Sequence, residues 1–384
     1  MADSAVSVAP ADPVLFREVE AASGHRIGIA TLNSERTLHA IGLPIIRLLD
    51  ARLRDWAADP AIACVVLLGA GDKAFSAGGD VKTLARAVGE AAAERFPDPA
   101  ALAFFTEEYR LDHRIHRYPK PLLCWGGGIV MGGGMGLFVG ASHRVVTETT
   151  RAAMPEITIG LFPDVGGSWF LPKLPGKAGL FAALTGAQLN GADLLAAGLA
   201  DIGLRQADRD VVLAGLTMIA WRGDAAADRA ALSAVLAEHA RAADGLLPAS
   251  KLTARAETID RLCAGATLAE VVAAITGYGG GDPWLQKAAA ALKAGSPTTA
   301  ALVWAVRQRA AGRSLAEIFR MELCIALHCC AHPDFPEGVR ALLIDKDHAP
   351  RWTPATLDAI DPAAIAAYFE APAWAAHPLA DLVD

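Results

Sequence analysis

Residues 61–82 read AIACVVLLGAGDKAFSAGGDVK, and the change of texture within them decides the fold class. The first eight residues are an unbroken apolar run, short enough for a strand and apolar enough to be buried on both faces. The segment Gly71–Lys82 that follows is small and polar. Its residues 76–79 let backbone approach a ligand closely, and free N–H groups in such a turn can point at an oxyanion or a phosphate. Alone, the same turn could merely redirect the chain.

Working outward, residues 26–32 (RIGIATL) alternate in polarity as a strand does. Between the two strands, after Pro44, the residues Ile45, Leu48, Leu49, Leu53 and Trp56 recur at three- and four-residue spacing and mark one buried helical stripe. Strand, helix, strand is the unit of an α/β protein with a parallel sheet. The alternation continues with a helix over about 98–117, the strand PLLCWGG at 121–127, a glycine-rich segment and a strand near 143–147, reaching about residue 200. Beyond it, Ala-rich helical segments dominate (212–222, 227–243, 249–275, 284–295, 298–311 and 314–330), with a surface break at Gly277–Pro283.

The 384 residues carry 35 basic and 42 acidic side chains, a formal charge of −7, with 53% hydrophobic and 20% charged residues. That balance buries a large core and excludes disordered, collagen and coiled-coil chains. An acidic chain does not offer a broad phosphate-tracking surface, so no nucleic acid is expected, and an anionic ligand needs a local positive pocket. Cys64, Cys124, Cys263, Cys324, Cys329 and Cys330 form no CxxC pair and have mostly apolar neighbours. They read as buried thiols of a reducing compartment, with a cytoplasmic location as the expectation. The opening MADSAVSVAPADP has neither the basic start and apolar run of a signal peptide nor the arginines of a mitochondrial presequence. No apolar run reaches the ~18 residues that span a bilayer, so no membrane is expected.

Two further segments carry chemistry. In Gly126–Gly136 (GGGIVMGGGMG) the glycines cost backbone entropy that a plain loop would not need, which points to tight packing or to N–H donors at a helix start. The segment matches neither GxGxxG with a ribose-binding acid nor GxxxxGK[ST]. In Met154–Gly167 (MPEITIGLFPDVGG) two carboxylates, Glu156 and Asp164, sit among apolar and glycine neighbours, where a raised pKa suits a general acid or base. Asp164, ahead of a helix, could equally be an N-cap. The clusters Asp112/His113/His116 and His328/Cys329/Cys330/His332 lack the paired spacing of a zinc site, so no metal is expected. Ser76 and Ser168 lack a GxSxG elbow.

In this order and spacing, AFSAGGDVK, MGGGMG and MPEITIGLFPDVGGSWFLPKLPG together resemble the crotonase (enoyl-CoA hydratase/isomerase) superfamily, and more closely its 3-hydroxyisobutyryl-CoA hydrolase branch. SPTTAAL at 296–302 and HPDFPEGVRALLIDKDHAPRW at 332–352 resemble that branch's C-terminal region. The resemblance implies an α/β fold, a crotonase-type spiral of ββα units with a helical C-terminal region. It divides the chain into a flexible N-terminus (1–12), a core holding the acyl-CoA site (13–225) and the helical region (226–384). In the superfamily that helical region covers the active site and mediates trimers or hexamers, so a homo-oligomer is a partner the resemblance allows.

Carried over residue by residue, the resemblance implies that the N–H groups of Ala77 and Gly133 form an oxyanion hole for the thioester carbonyl. Glu156 and Asp164 become the catalytic carboxylates. Glu108, Gly132, Gly134 and Gly136 fall at substrate-contacting positions, and Gly78, Asp80 and Lys82 at CoA-binding ones, with Arg36 and Lys346 as weaker phosphate partners. Hydratases of the superfamily place a second glutamate where this chain has Gly136, which removes one acid/base partner of water addition. The implied reaction is hydrolysis of a short 3-hydroxyacyl-CoA, 3-hydroxyisobutyryl-CoA in valine degradation, with coenzyme A as part of the substrate and no prosthetic group. Glu156 would attack the carbonyl or activate water, while Asp164 orients the substrate hydroxyl or the water. The alternatives are an enoyl-CoA hydratase or isomerase, and a non-catalytic acyl-CoA-binding protein on the same fold.

Overall fold

The computed structural model describes residues 12–89, 96–243 and 245–384. The expected flexible N-terminus, apart from residue 12, lies outside them. Among the described residues ten strands form two sheets: β1 (Val14–Glu20), β2 (Arg26–Leu32), β3 (Ile62–Gly69), β5 (Leu122–Gly126), β7 (His143–Thr147) and β10 (Ile202–Leu204) in the larger, and β4 (Ala74–Ser76), β6 (Ile129–Met131), β8 (Arg151–Ala153) and β9 (Leu189–Asn190) in the smaller. The larger sheet runs in the order β1-β2-β3-β5-β7-β10, parallel from β2 onward, with β1 antiparallel at its edge. From β3 to β8 the chain visits the two sheets in turn, each pair of strands followed by a crossover. This is the spiral of ββα units, and the mostly helical C-terminal half packs against it.

β3 explains why the spiral holds together. Its alternate residues Cys64, Val66 and Leu68 join the apolar cluster on one face, while Ile62, Val65 and Leu67 join that on the other. A strand buried on both faces needs helices on both sides. The helix Leu43–Ala58 covers one face with Ile45, Ile46, Leu49, Leu53 and Trp56. Leu48, expected in that stripe, is 40% exposed, and Ile46 takes the inward position. The opposite face is covered by the helices Arg209–Leu216 and Ala225–Ala242, through Val212, Leu216, Leu232 and Leu236.

The stretch 249–275, read from sequence as one helix, is two: Lys251–Leu262 and Leu268–Thr276. A capping box makes the break. The Thr267 hydroxyl accepts the Glu270 N–H while the Glu270 carboxylate accepts the Thr267 N–H, satisfying donors that a continuous helix would not have exposed. Helix propensity in the Ala-rich flanks hid the signal.

Candidate active site

The carboxylates come from four elements that converge where β4 and β6 end. Glu108 and Asp112 lie on one face of the helix Pro99–His116, Glu156 opens a 3-10 turn after β8, Asp164 follows in the next loop, and Glu322 comes from the helix Leu315–Ala331. All five are buried, none more than 4% exposed. Among the described residues no Lys or Arg forms an ion pair with any of them.

Burial without a counter-cation raises every carboxyl here. Asp164 is pushed up to about 7 by burial, against the opposing pull of the Tyr109 hydroxyl, which donates to its Oδ2 at 2.7 Å. Glu322 is pushed up to about 8 by burial and then by the Asp164 charge. Glu156 is raised by burial and by Asp164; Glu108 by burial, Asp164 and Glu156; Asp112 by burial and then by Glu108, Asp164 and Glu322. Glu156 Oε2 and both oxygens of Asp112 have no hydrogen-bond partner. The cluster therefore retains protons near neutrality and holds acceptors free for a reacting molecule or its proton.

The glycine run exists because these acids occupy the space its side chains would need. A Cβ on Gly132 would come within 3.0 Å of Glu156 Oε1, one on Gly133 within 2.7 Å of Glu108 Oε1, and one on Gly136 within 2.9 and 3.0 Å of the Asp112 oxygens and 2.7 Å of Val165 Cβ. A Cβ on Gly134 would come as close to the Ser76 carbonyl oxygen, at 2.8 Å. A glutamate at 136 has no room in this packing.

The loop over the run supplies backbone donors, in a register different from that read from sequence. The Ala77 N–H, expected in an oxyanion hole, donates to Leu38 O at 2.9 Å, because residues 38–41 run alongside the loop. Gly78 N–H goes to Ser76 Oγ and Asp80 N–H to Ile41 O. Gly79 N–H meets no acceptor among the described residues, and a Cβ on Gly133 would lie 3.3 Å from the Gly79 nitrogen. Gly133 opens the helix Gly133–Val139, so its N–H has no intrahelical acceptor either. Two available N–H groups thus stand side by side, at Gly79 and Gly133.

Of the residues expected on CoA, the Asp80 carboxylate caps the helix Val81–Val88, accepting from the Thr83 N–H and hydroxyl. Its side chain serves the fold, and the cause is its place at the N-cap. The Gly78 carbonyl accepts the Ile41 N–H. Lys82, Arg36 and Lys346 are exposed. Asp164 is not a helix cap: its carboxylate faces Tyr109, and the helix Gly167–Phe170 is capped by Gly166. Sequence reading missed Tyr109, Glu322 and the place of Asp112. One signal was available, a lone carboxylate inside the apolar MELCIAL stretch at 321–327. Among the described residues no group of three or more His, Cys, Asp and Glu is arranged to hold a metal ion.

The C-terminal motifs grip the Glu156 turn. Ser296 N–H donates to Ile157 O, the Thr299 hydroxyl to Leu161 O, and a Cβ on Gly338 would strike the Ile159 backbone at 2.5 Å. Asp334 holds that segment's own geometry by accepting from the Ser296 hydroxyl and the Thr353 N–H, both at 2.7 Å.

A family model described as enoyl-CoA hydratase/isomerase matches residues 27–369. The chain belongs to that family. Among curated relatives, the mitochondrial 3-hydroxyisobutyryl-CoA hydrolase of Danio rerio is 39% identical over 90% of this chain and 86% of its own length, and that of Homo sapiens 35% over 86% and 82%. Of solved structures, a carnitinyl-CoA dehydratase from Mycobacterium thermoresistibile matches with a TM-score of 0.81 at 35% identity, over 94% of this chain and 98% of that one. An enoyl-CoA hydratase from Rhodobacter sphaeroides matches with a TM-score of 0.79 at 34% identity, over 93% and 97%. These matches extend through the C-terminal helical half, so the family likeness includes the segments that hold the Glu156 turn.

Proposed function

We propose that this chain is an acyl-CoA thioester hydrolase acting on a short 3-hydroxyacyl-CoA, with 3-hydroxyisobutyryl-CoA as the substrate to which its relatives' names point. The observation that carries the reading is Glu156, buried beside Asp164 with Oε2 unpartnered, opposite a position 136 that has no carboxylate and no room for one. The Gly79 and Gly133 N–H groups bind the thioester oxygen and stabilise the charge that develops on it, a contribution typically worth ~10²–10³ in rate per donor. Glu156 then forms the new bond to the carbonyl carbon, either with its own oxygen or through a water it deprotonates. The C–S bond breaks, and the CoA thiolate takes up a proton from the cluster; on the covalent route water then cleaves the anhydride, which frees the acid, regenerates the Glu156 carboxylate and returns the proton to the cluster. Asp164, held by Tyr109, orients the substrate hydroxyl or the water. Coenzyme A is substrate, and the chemistry calls on no prosthetic group. The free, buried thiols accord with a reducing compartment, which supports a cytoplasmic location.

Hydroxylamine separates the two routes. A covalent anhydride at Glu156 gives a hydroxamate and carries oxygen label from water into the carboxylate. Absence of both assigns Glu156 as the base.

A second reading, water addition to an enoyl-CoA, draws on Asp112, whose oxygens fill the space beside Gly136. Hydration of crotonyl-CoA that Asp112→Asn abolishes, without thiol release, would establish it.

A further inference from the structure

Asp164 sits just before a turn that the protein bends out of its ordinary conformations. Val165 has φ +50 and Gly166 φ +85. A β-branched residue in the left-handed region persists only where the surroundings over-determine it. The restraint is Glu322. Its Oε2 accepts the Gly166 N–H at 2.8 Å and its Oε1 the Ser168 N–H at 2.9 Å, so one carboxylate pins both ends of the turn from a helix more than 150 residues away in sequence. Glu322 is fully buried.

One helical turn earlier, Phe319 packs against Tyr109 with ring centroids 5.6 Å apart. Tyr109 is the residue that donates to Asp164 Oδ2. Two side chains on one face of the helix Leu315–Ala331 thus fix Asp164 from both sides: Phe319 through its hydrogen-bond donor, Glu322 through the backbone that follows it. A buried carboxylate is costly unless its acceptors are used, and here both are used on a single loop.

We infer that Glu322, though remote in sequence and out of contact with the reacting atoms, is a positioning residue for Asp164, so that the helical C-terminal half builds part of the active site. The inference rests on the hydrolase reading of that site. It acts by geometry: the turn sets where the Asp164 carboxylate stands, and a displacement of 1 Å in a reacting group can cost ~10²-fold.

The test is a double-mutant cycle on the full-length protein with Glu322→Gln and Asp164→Asn, read by thiol release and by amide hydrogen exchange over residues 165–168. Glutamine keeps the shape but turns an NH2 toward one of the two N–H groups. Glu322→Gln is expected to lower kcat about 10- to 100-fold with KM within about threefold, and to cost less than about threefold further in the Asp164→Asn background, as for two groups acting through one. Exchange of the Gly166 and Ser168 amides accelerates. Glu322→Asp, one methylene shorter, gives an intermediate loss and provides the second variant if the first does not fold. An equal loss of kcat in both backgrounds, an unchanged kcat, or unchanged exchange overturns the inference. Wild type that releases no thiol sinks the hydrolase reading, while the exchange arm still reports whether Glu322 holds the turn.

Discussion

Tyr109 donates its hydroxyl to Asp164 Oδ2 at 2.7 Å with both groups buried, so an acid at the centre of a carboxylate cluster is held by a neutral donor. The bond favours the ionised form and opposes the desolvation that pushes Asp164 up to about 7. Tyr109→Phe removes that opposition and leaves the ring's packing in place. The Asp164 titration is expected to move to higher pH, and kcat/KM for the thioester to fall about tenfold or more at pH 7. Titration of the Asp164 carboxyl followed by NMR checks the shift and an assay at pH 7 checks the rate; an Asp164 titration that stays in place or moves to lower pH would contradict it.

Glu156 and Asp164 are electrostatically coupled, the Asp164 charge being the largest cause after burial of the raised Glu156 carboxyl. Since Glu156 acts as an anion, activity has a rising acidic limb. Asp164→Asn removes the like charge and lets Glu156 ionise earlier, so the limb of the residual activity shifts to lower pH. Glu156→Gln, in contrast, removes the reacting oxygen itself. It is expected to cost about 10³-fold or more in kcat while leaving substrate binding measurable by calorimetry.

Position 136 tests packing against chemistry. Gly136→Ala places a Cβ against Val165 and the Asp112 oxygens, and is expected to destabilise the protein by about 1–3 kcal/mol. Gly136→Glu would restore the hydratase pattern in sequence, yet it is expected to yield misfolded protein rather than crotonyl-CoA hydration. Thermal unfolding and the hydration assay decide both.

Much of the fold was legible in the chain because its signals are local. RIGIATL and the run at 61–68 announce strands through apolar pattern, and the resemblance of three separated motifs implied the spiral. The Glu156/Asp164 pair stood out for carboxylates amid glycine and apolar residues. What stayed hidden depends on tertiary approach. Which loop amide remains free turned on residues 38–41 lying alongside and taking the Ala77 N–H, leaving Gly79. Glu322 meets the turn after Asp164 across 156 residues of separation, which no local pattern encodes. Leu48 yielded to Ile46 since both fit the helical spacing and only the neighbouring sheet chooses between them.

The buried acids also set how stability depends on pH. Asp164 and Glu322 move from ordinary values of 3.8 and 4.5 to about 7 and about 8 on folding. Below about pH 4 both states hold these protons; above it the folded state alone holds them, Asp164 up to about 7 and Glu322 up to about 8, so rising pH favours the unfolded chain across that window. Asp164→Asn, which cannot ionise and still accepts from Tyr109, is expected to raise the Tm at pH 8 by on the order of 5 °C and to change it much less at pH 5. A Tm that falls at pH 8 would show that the Asp164 charge stabilises the fold instead of straining it.

The central claim, that a buried Glu156/Asp164 pair hydrolyses a 3-hydroxyacyl thioester, is met most directly by free-thiol release from 3-hydroxyisobutyryl-CoA. Wild type, Glu156→Gln and Asp164→Asn are assayed side by side, with crotonyl-CoA hydration followed on the same preparations. Rapid thiol release by wild type, reduced at least about 10³-fold by the first substitution and at least about 10²-fold by the second, is the result predicted. Hydration of crotonyl-CoA without thiol release, or thiol release that survives Glu156→Gln, would contradict it.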